Sequence, residues 1–123
     1  MTKNFEDFPV YCKSLDLIEK IYIFLRSQGL EKEFEFNNQI KRARFSISNN
    51  IAEGSEYNNN RQFIKYLKIA KGSCAEVRSM MIVSKRLKLG NEIMAEEAIN
   101  LSREISSNIS NFIKYLKENI ERK

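Results

Sequence analysis

The chain of 123 residues predicts an all-α fold, an antiparallel up-down four-helix bundle. Three observations lead there. Apolar residues recur at helical spacing along the chain, and no run alternates as a strand would. One Pro and four Gly leave few places to turn, so the elements are long. Phe63, Leu67, Ala70, Cys74, Val77, Met81 and Ser84 step by 4, 3, 4, 3, 4, 3, a heptad seam. A single domain over 1–123 is long enough to bury a modest core.

The first helix is expected over about 9–27. Pro9 suits its first turn, Asp7 can cap it and Gly29 stops it. Its apolar residues fall into two adjacent seams, Val10, Leu17, Ile21 and Phe24 beside Tyr11, Leu15, Ile18, Tyr22 and Leu25. Together they cover about half the circumference, more than an outer helix of a small monomer needs. Either this helix lies deep in the bundle or it meets a second partner, such as another subunit. Residues 28–36 read as a loop, with Phe34 and Phe36 tucked into a bundle end.

The second helix is expected over about 37–53, capped by Asn37 or Asn38 and stopped by Gly54. Ile40, Ala43, Ile47 and Ile51 form its inner face. The turn-rich run 55–60 leads to a third helix over about 61–89. Tyr66, Ile69, Met80, Val83 and Leu87 widen its seam. Gly90 ends it, and Asn91 caps a fourth helix over about 92–121, so these two form an antiparallel hairpin. Ala98, Leu101, Ile105, Phe112 and Leu116 mark one seam of the fourth helix; Ile109, Ile113 and Ile120 mark another.

Charge is unevenly placed. Residues 37–89 carry eleven Lys/Arg against three Glu, a net of +8, whereas 1–36 and 90–123 are mildly acidic at −2 and −1. Lys71, Arg78 and Lys85 repeat every seven residues along one flank of the third helix, and Arg61, Lys65, Lys68 and Arg86 lie on the neighbouring flank. At ~1.5 Å per residue the two rows extend more than ~30 Å. Lys41, Arg42 and Arg44 can join them if the second helix packs alongside. Such a surface fits a phosphate backbone, which asks for point charges and not a cavity. A solvated Lys-rich helix face gives the same counts. Tyr57 and Asn58-Asn59-Asn60 adjoin Arg61 and could touch a base, although turn and capping chemistry accounts for them better.

Several function classes lose support. The absence of His removes the commonest general base, the usual Ser and Cys triads and most zinc sites. Cys12 and Cys74 both sit in helical patterns and read as buried thiols. Asn50, Glu53 and Glu76 lie beside apolar positions, where a hydrogen-bonding network that fixes helix register explains them better than carboxylate catalysis. No phosphate-cradling Gly loop or nucleophile elbow is present. No enzyme activity and no cofactor or metal is therefore expected. There is no apolar run of membrane-spanning length and no signal pattern at the N-terminus, so a cytoplasmic location is expected.

Gln39-Ile40-Lys41-Arg42-Ala43, followed by Ser46-Ile47-Ser48-Asn49-Asn50-Ile51-Ala52-Glu53-Gly54, is a distinctive segment. It resembles the four-helix-bundle proteins encoded in intervening sequences of bacterial 23S ribosomal RNA genes. The accessory variability proteins of diversity-generating retroelements are similar to that family. Phe5-Glu6-Asp7-Phe8-Pro9-Val10-Tyr11 resembles the family's opening. The run Phe63-Ile64-Lys65-Tyr66-Leu67-Lys68-Ile69-Ala70-Lys71-Gly72-Ser73, with Glu76 after it, resembles its third helix. The likeness covers about residues 5–116. Ser48 stands where the family often has Pro, a residue that would restrict the helix.

The resemblance implies a ring-like homopentamer with a basic surface proposed to bind nucleic acid, and it does not imply an enzyme. By position, Arg42, Lys65 and Lys68 match the family pattern. Lys41, Arg44, Arg61, Lys71, Arg78 and Lys85 rest on the charge argument. Asn50, Glu53 and Gly54 match the motif and read as structural, Gly54 as a left-handed helix stop. The expected function is a homo-oligomeric protein that binds nucleic acid, RNA in particular, through its phosphate backbone. The alternative is an adaptor docking an acidic protein partner.

Overall fold

The computed structural model describes residues 4–120. A 3-10 turn, Phe5–Asp7, precedes helices α1 (Pro9–Phe24), α2 (Phe34–Ser55), α3 (Asn60–Leu87) and α4 (Glu92–Ile120). Each helix packs against its neighbours in the order α1, α2, α3, α4 and back to α1, so the four stand at the corners of a square. Contacts that cross the helix pairs show the directions. Lys13 meets Glu104 and Lys20 meets Glu97, so α1 and α4 run antiparallel. Gly54 approaches Phe63 and Tyr66 while Ser46 meets Ser73, so α2 and α3 do as well.

The heptad seam of α3 is buried along its whole length, Phe63 to Ser84. Leu17, Ile21, Phe24, Ile40, Ile47, Ile51, Ile105 and Ile109 complete the centre from the other three helices. Each fully buried Leu or Ile contributes roughly 1.5–3 kcal/mol relative to exposure. The core continues to one end of the bundle as an aromatic cluster in which Phe112 sits edge-on to both Phe8 and Phe63.

Capping chemistry sets the boundaries. Asn59 accepts from the Gln62 amide to open α3, and Asn91 accepts from the Met94 amide to open α4. Lys88 takes the left-handed conformation that closes α3, and Gly90 follows with φ of 71°. A side chain at Gly90 would meet the Phe24 ring at 2.6 Å, so the hairpin turn must stay bare to seat on the end of α1. The Gly90 amide donates to the Gln28 carbonyl and the Asn91 amide to Ser27 Oγ, which ties the turn down.

Several expectations are corrected. α1 ends at Phe24, not near Ser27, and Phe8 occupies its N-cap position without a side-chain cap, since Asp7 belongs to the preceding turn. α2 begins at Phe34, three residues early; Asn37 lies inside it and donates to the Leu30 carbonyl. Phe36 packs against the core, but Phe34 is 72% exposed. Gly54 is not a left-handed stop. It lies within α2, where an added Cβ would come within 2.6 Å of the Tyr66 Cβ and 3.0 Å of the Phe63 ring. Its role is to let α2 and α3 approach closely. α3 spans Asn60–Leu87, near its expected 61–89. The last residue expected in the fourth helix, 121, lies outside the described residues.

The two seams of α1 part company. Val10, Leu17, Ile21 and Phe24 are buried, whereas Leu15 and Tyr22 are exposed and Tyr11, Ile18 and Leu25 are half-buried. α1 is therefore an outer helix carrying surplus apolar surface. Cys74 is buried as expected, and burial pushes its thiol up to about 12. Cys12 is exposed, against expectation, because it falls on the outer side of α1.

Candidate nucleic-acid interface

Where each cation points follows from its place on a helix whose inner side is fixed by packing. On α3 the seam faces inward, Ser73 and Tyr66 face α2, and Lys85 faces α4 through a 2.7 Å bond to Glu96. Lys71 and Arg78 precede Lys85 by two heptads and one, so they share its α4-facing flank. Arg61, Lys65, Lys68, Lys71 and Arg86 are exposed, while Arg78 and Lys85 are half-buried. Among the described residues Lys85 is the α3 cation held in a salt bridge. The other six carry no ionic partner there.

α4 supplies the facing row. Glu96, Arg103, Ser110 and Lys117 repeat at seven-residue intervals. Antiparallel pairing that starts from Lys85–Glu96 sets Arg103 level with Arg78, Ser110 level with Lys71, and Lys117 level with Ile64. The last level is confirmed by a recess lined by Arg61, Ile64, Lys117 and Ile120. That register sets Arg78 and Arg103 at one level on facing helices, and neither has a salt-bridge partner among the described residues. Arg103 and Lys117 escaped the sequence reading because their helix is acidic overall. The seven-residue spacing was the signal that could have found them.

Lys41 and Arg44 do not join this surface. Ser46 fixes the α3-facing side of α2, and Arg44 lies two residues, about 200°, away from it. Arg44 turns towards α1, near Tyr22, and Lys41, one turn before it, shares that side. Arg42, one turn before Ser46, is exposed on the α3 side and is the α2 cation that can extend the α3 surface. Arg44 is only 7% exposed; its guanidinium lies over the Phe45 ring, 4.5 Å from the centroid. Burial holds its pKa below the ordinary arginine value, with the nearby Tyr22 partly offsetting this.

The motif residues divide as well. Asn50 donates to the carbonyl and hydroxyl oxygens of Ser46, and Ser73 donates to the same Ser46 hydroxyl. This chain of bonds bridges α2 and α3 and fixes their register, as expected of Asn50. Glu53 and Glu76 are exposed, so neither belongs to a buried network. Glu53 instead neighbours Tyr66, whose ring stacks on Tyr57 at 5.2 Å and whose hydroxyl lies 3.0 Å from the Tyr57 hydroxyl. That hydrogen bond, then desolvation and Glu53, push Tyr66 up to about 12. Tyr57 thus has one ring face occupied within the chain. Among the described residues no group of three or more His, Cys, Asp or Glu could hold a metal ion, and no helix is long and apolar enough to cross a membrane.

These features define a class: a four-helix bundle whose third helix carries mostly unpaired, exposed cations among the described residues. The model of the 23S rRNA-intervening sequence protein family matches residues 6–111, and the chain belongs to that family. No curated protein matches it. The chain is similar to a crystal structure of a protein of unknown function from the S23 ribosomal protein family of Bacteroides thetaiotaomicron. The two are 30% identical, the match covers 85% of this chain and 98% of that one, and the TM-score is 0.75.

Proposed function

We propose that this protein is a non-enzymatic, homo-oligomeric, cytoplasmic protein that binds nucleic acid, RNA in particular, through the phosphate backbone. The observation that carries the reading is the α3–α4 groove, where Arg78 and Arg103 share one level and cations continue to Lys117 at one end. A fold that needed these cations for its own stability would neutralise them, as it does Lys13, Lys20 and Lys85. From Arg61 to Arg86 the open α3 cations span about 37 Å, enough for several successive phosphates. Backbone contacts of this kind position a strand without reading its sequence. A pentameric ring, as the family resemblance implies, would multiply the patch and give avidity without new contacts.

Fluorescence anisotropy with a labelled single-stranded RNA tests this. The Lys65→Glu, Lys68→Glu double variant is expected to bind at least tenfold more weakly than wild type with an unchanged melting temperature. Equal affinity would overturn the reading.

One observation favours the second reading, an adaptor for an acidic protein. Ile69, Ile82, Val83 and Leu87 are exposed among the α3 cations. Phosphates have no use for them, whereas a protein partner would. Binding to an acidic protein that persists after nuclease treatment and is weakened by Ile69→Ser supports the adaptor. Binding lost with the nucleic acid supports the first reading.

A further inference from the structure

Gly72 sits near the middle of α3, on its exposed side. A glycine inside a helix weakens it relative to alanine, because the chain gives up more conformational freedom on folding and no side chain covers the backbone. The glycine of α2 has a reason to be there, since Tyr66 and Phe63 press against Gly54. Gly72 has no such reason within the chain. A Cβ built on it meets no atom within 4 Å, and its backbone is ordinary right-handed helix, unlike Gly29 and Gly90. Alanine at this position would suit the fold better. The bare backbone therefore answers to something outside the chain.

The neighbours on that face indicate what it is. Lys65 precedes Gly72 by one heptad and Lys68 by one turn, so both leave α3 on the same side, and Lys71 adjoins them. All three are exposed and have no salt-bridge partner among the described residues. The acidic residue of α3, Glu76, lies one turn beyond Gly72 and is exposed. It repels a polyanion, so Gly72 marks the edge of the cationic stretch. A ribose–phosphate strand held by the three lysines lies against the helix at this point.

We propose that Gly72 is where a bound RNA strand touches the α3 main chain, and that its missing side chain lets the strand approach closely enough for Lys65, Lys68 and Lys71 to reach the phosphates together. A methyl group there would hold the sugar off and lengthen each phosphate–ammonium separation, which weakens the attraction. The inference rests on the RNA-binding reading of the proposed function. It adds an uncharged, steric determinant to a surface otherwise defined by charge.

Fluorescence anisotropy with the labelled single-stranded RNA, together with thermal melting, tests it on Gly72→Ala and Gly72→Leu. Both variants are expected to melt above wild type, because each replaces glycine with a better helix former. Affinity is expected to fall about fivefold for alanine and more than about tenfold for leucine. The salt dependence is expected to keep its slope, since no cation is removed. Wild-type affinity in both variants overturns the inference; if Lys65→Glu with Lys68→Glu still weakens binding, the charge reading stands without it. A wild type that does not bind RNA overturns both. A lower melting temperature in the alanine variant would make Gly72 a structural residue and overturn its role in binding. A fall in particle mass by light scattering in either variant would assign the bare turn to a contact between proteins, which also overturns it.

Discussion

The α1 and α3 sides of α4 treat lysine and arginine in opposite ways. Towards α1, Lys13 and Lys20 are each matched to a glutamate of α4, Glu104 at 2.6 Å and Glu97 at 3.8 Å. Towards α3, among the described residues a single pair, Lys85–Glu96, closes one end; beyond it Arg78 is level with Arg103, Lys71 with Ser110 and Ile64 with Lys117. Among the described residues, two α4 glutamates thus pair with α1 and one with α3. Surface ion pairs stabilise little, so the pairing on the α1 side is a modest structural device. The unpaired side concentrates positive field, which is useful to a polyanion and mildly unfavourable to the fold.

The contrast can be broken at four points. The largest effect comes from the scaffold. Gly54→Val drives a side chain into Tyr66 and Phe63 and is expected to cost about 3 kcal/mol, read by denaturant unfolding. Both faces are lost together. Next, Arg78→Glu places a carboxylate beside Arg103. RNA affinity is expected to fall about tenfold, ~1.4 kcal/mol, while the melting temperature holds or rises as like-charge repulsion is relieved. A fall in both would mean that Arg78 is structural.

On the other side, Lys13→Glu with Lys20→Glu turns two attractions into repulsions. Stability is expected to drop by about 1 kcal/mol by urea titration, with RNA affinity changed less than about twofold. The smallest effect belongs to Lys85→Met. Glu96 already neutralises that lysine, so affinity is expected to change by less than about twofold in the same anisotropy assay, against tenfold at Arg78.

Sequence and structure agree best where one helix decides the outcome. The α3 seam and the Asn91 cap depend on local spacing and backbone chemistry and stand as expected, while the left-handed closure of α3 falls on Lys88 and not on Gly90. Agreement fails where the answer depends on a neighbour. Helical periodicity gives the angle of Arg44 on α2, but not that α1 and not α3 occupies that angle. Lys85 shares a flank with Arg78, yet only the α4 register reveals Glu96 opposite one and Arg103 opposite the other. Gly54 in a sequence looks like a terminator; close approach of a second helix is a property of two chains of atoms, visible only once both are placed. Glu53 and Glu76 sit one step from apolar positions, and a step of 100° is enough to carry them to the surface.

The central claim is that the α3–α4 groove binds phosphates by charge, and the salt dependence of RNA affinity tests it most directly. With about six phosphates contacted, a plot of log K against log salt for single-stranded RNA is expected to be linear with a slope of roughly −4. A flat plot, with affinity unchanged between low and physiological salt, would contradict the account.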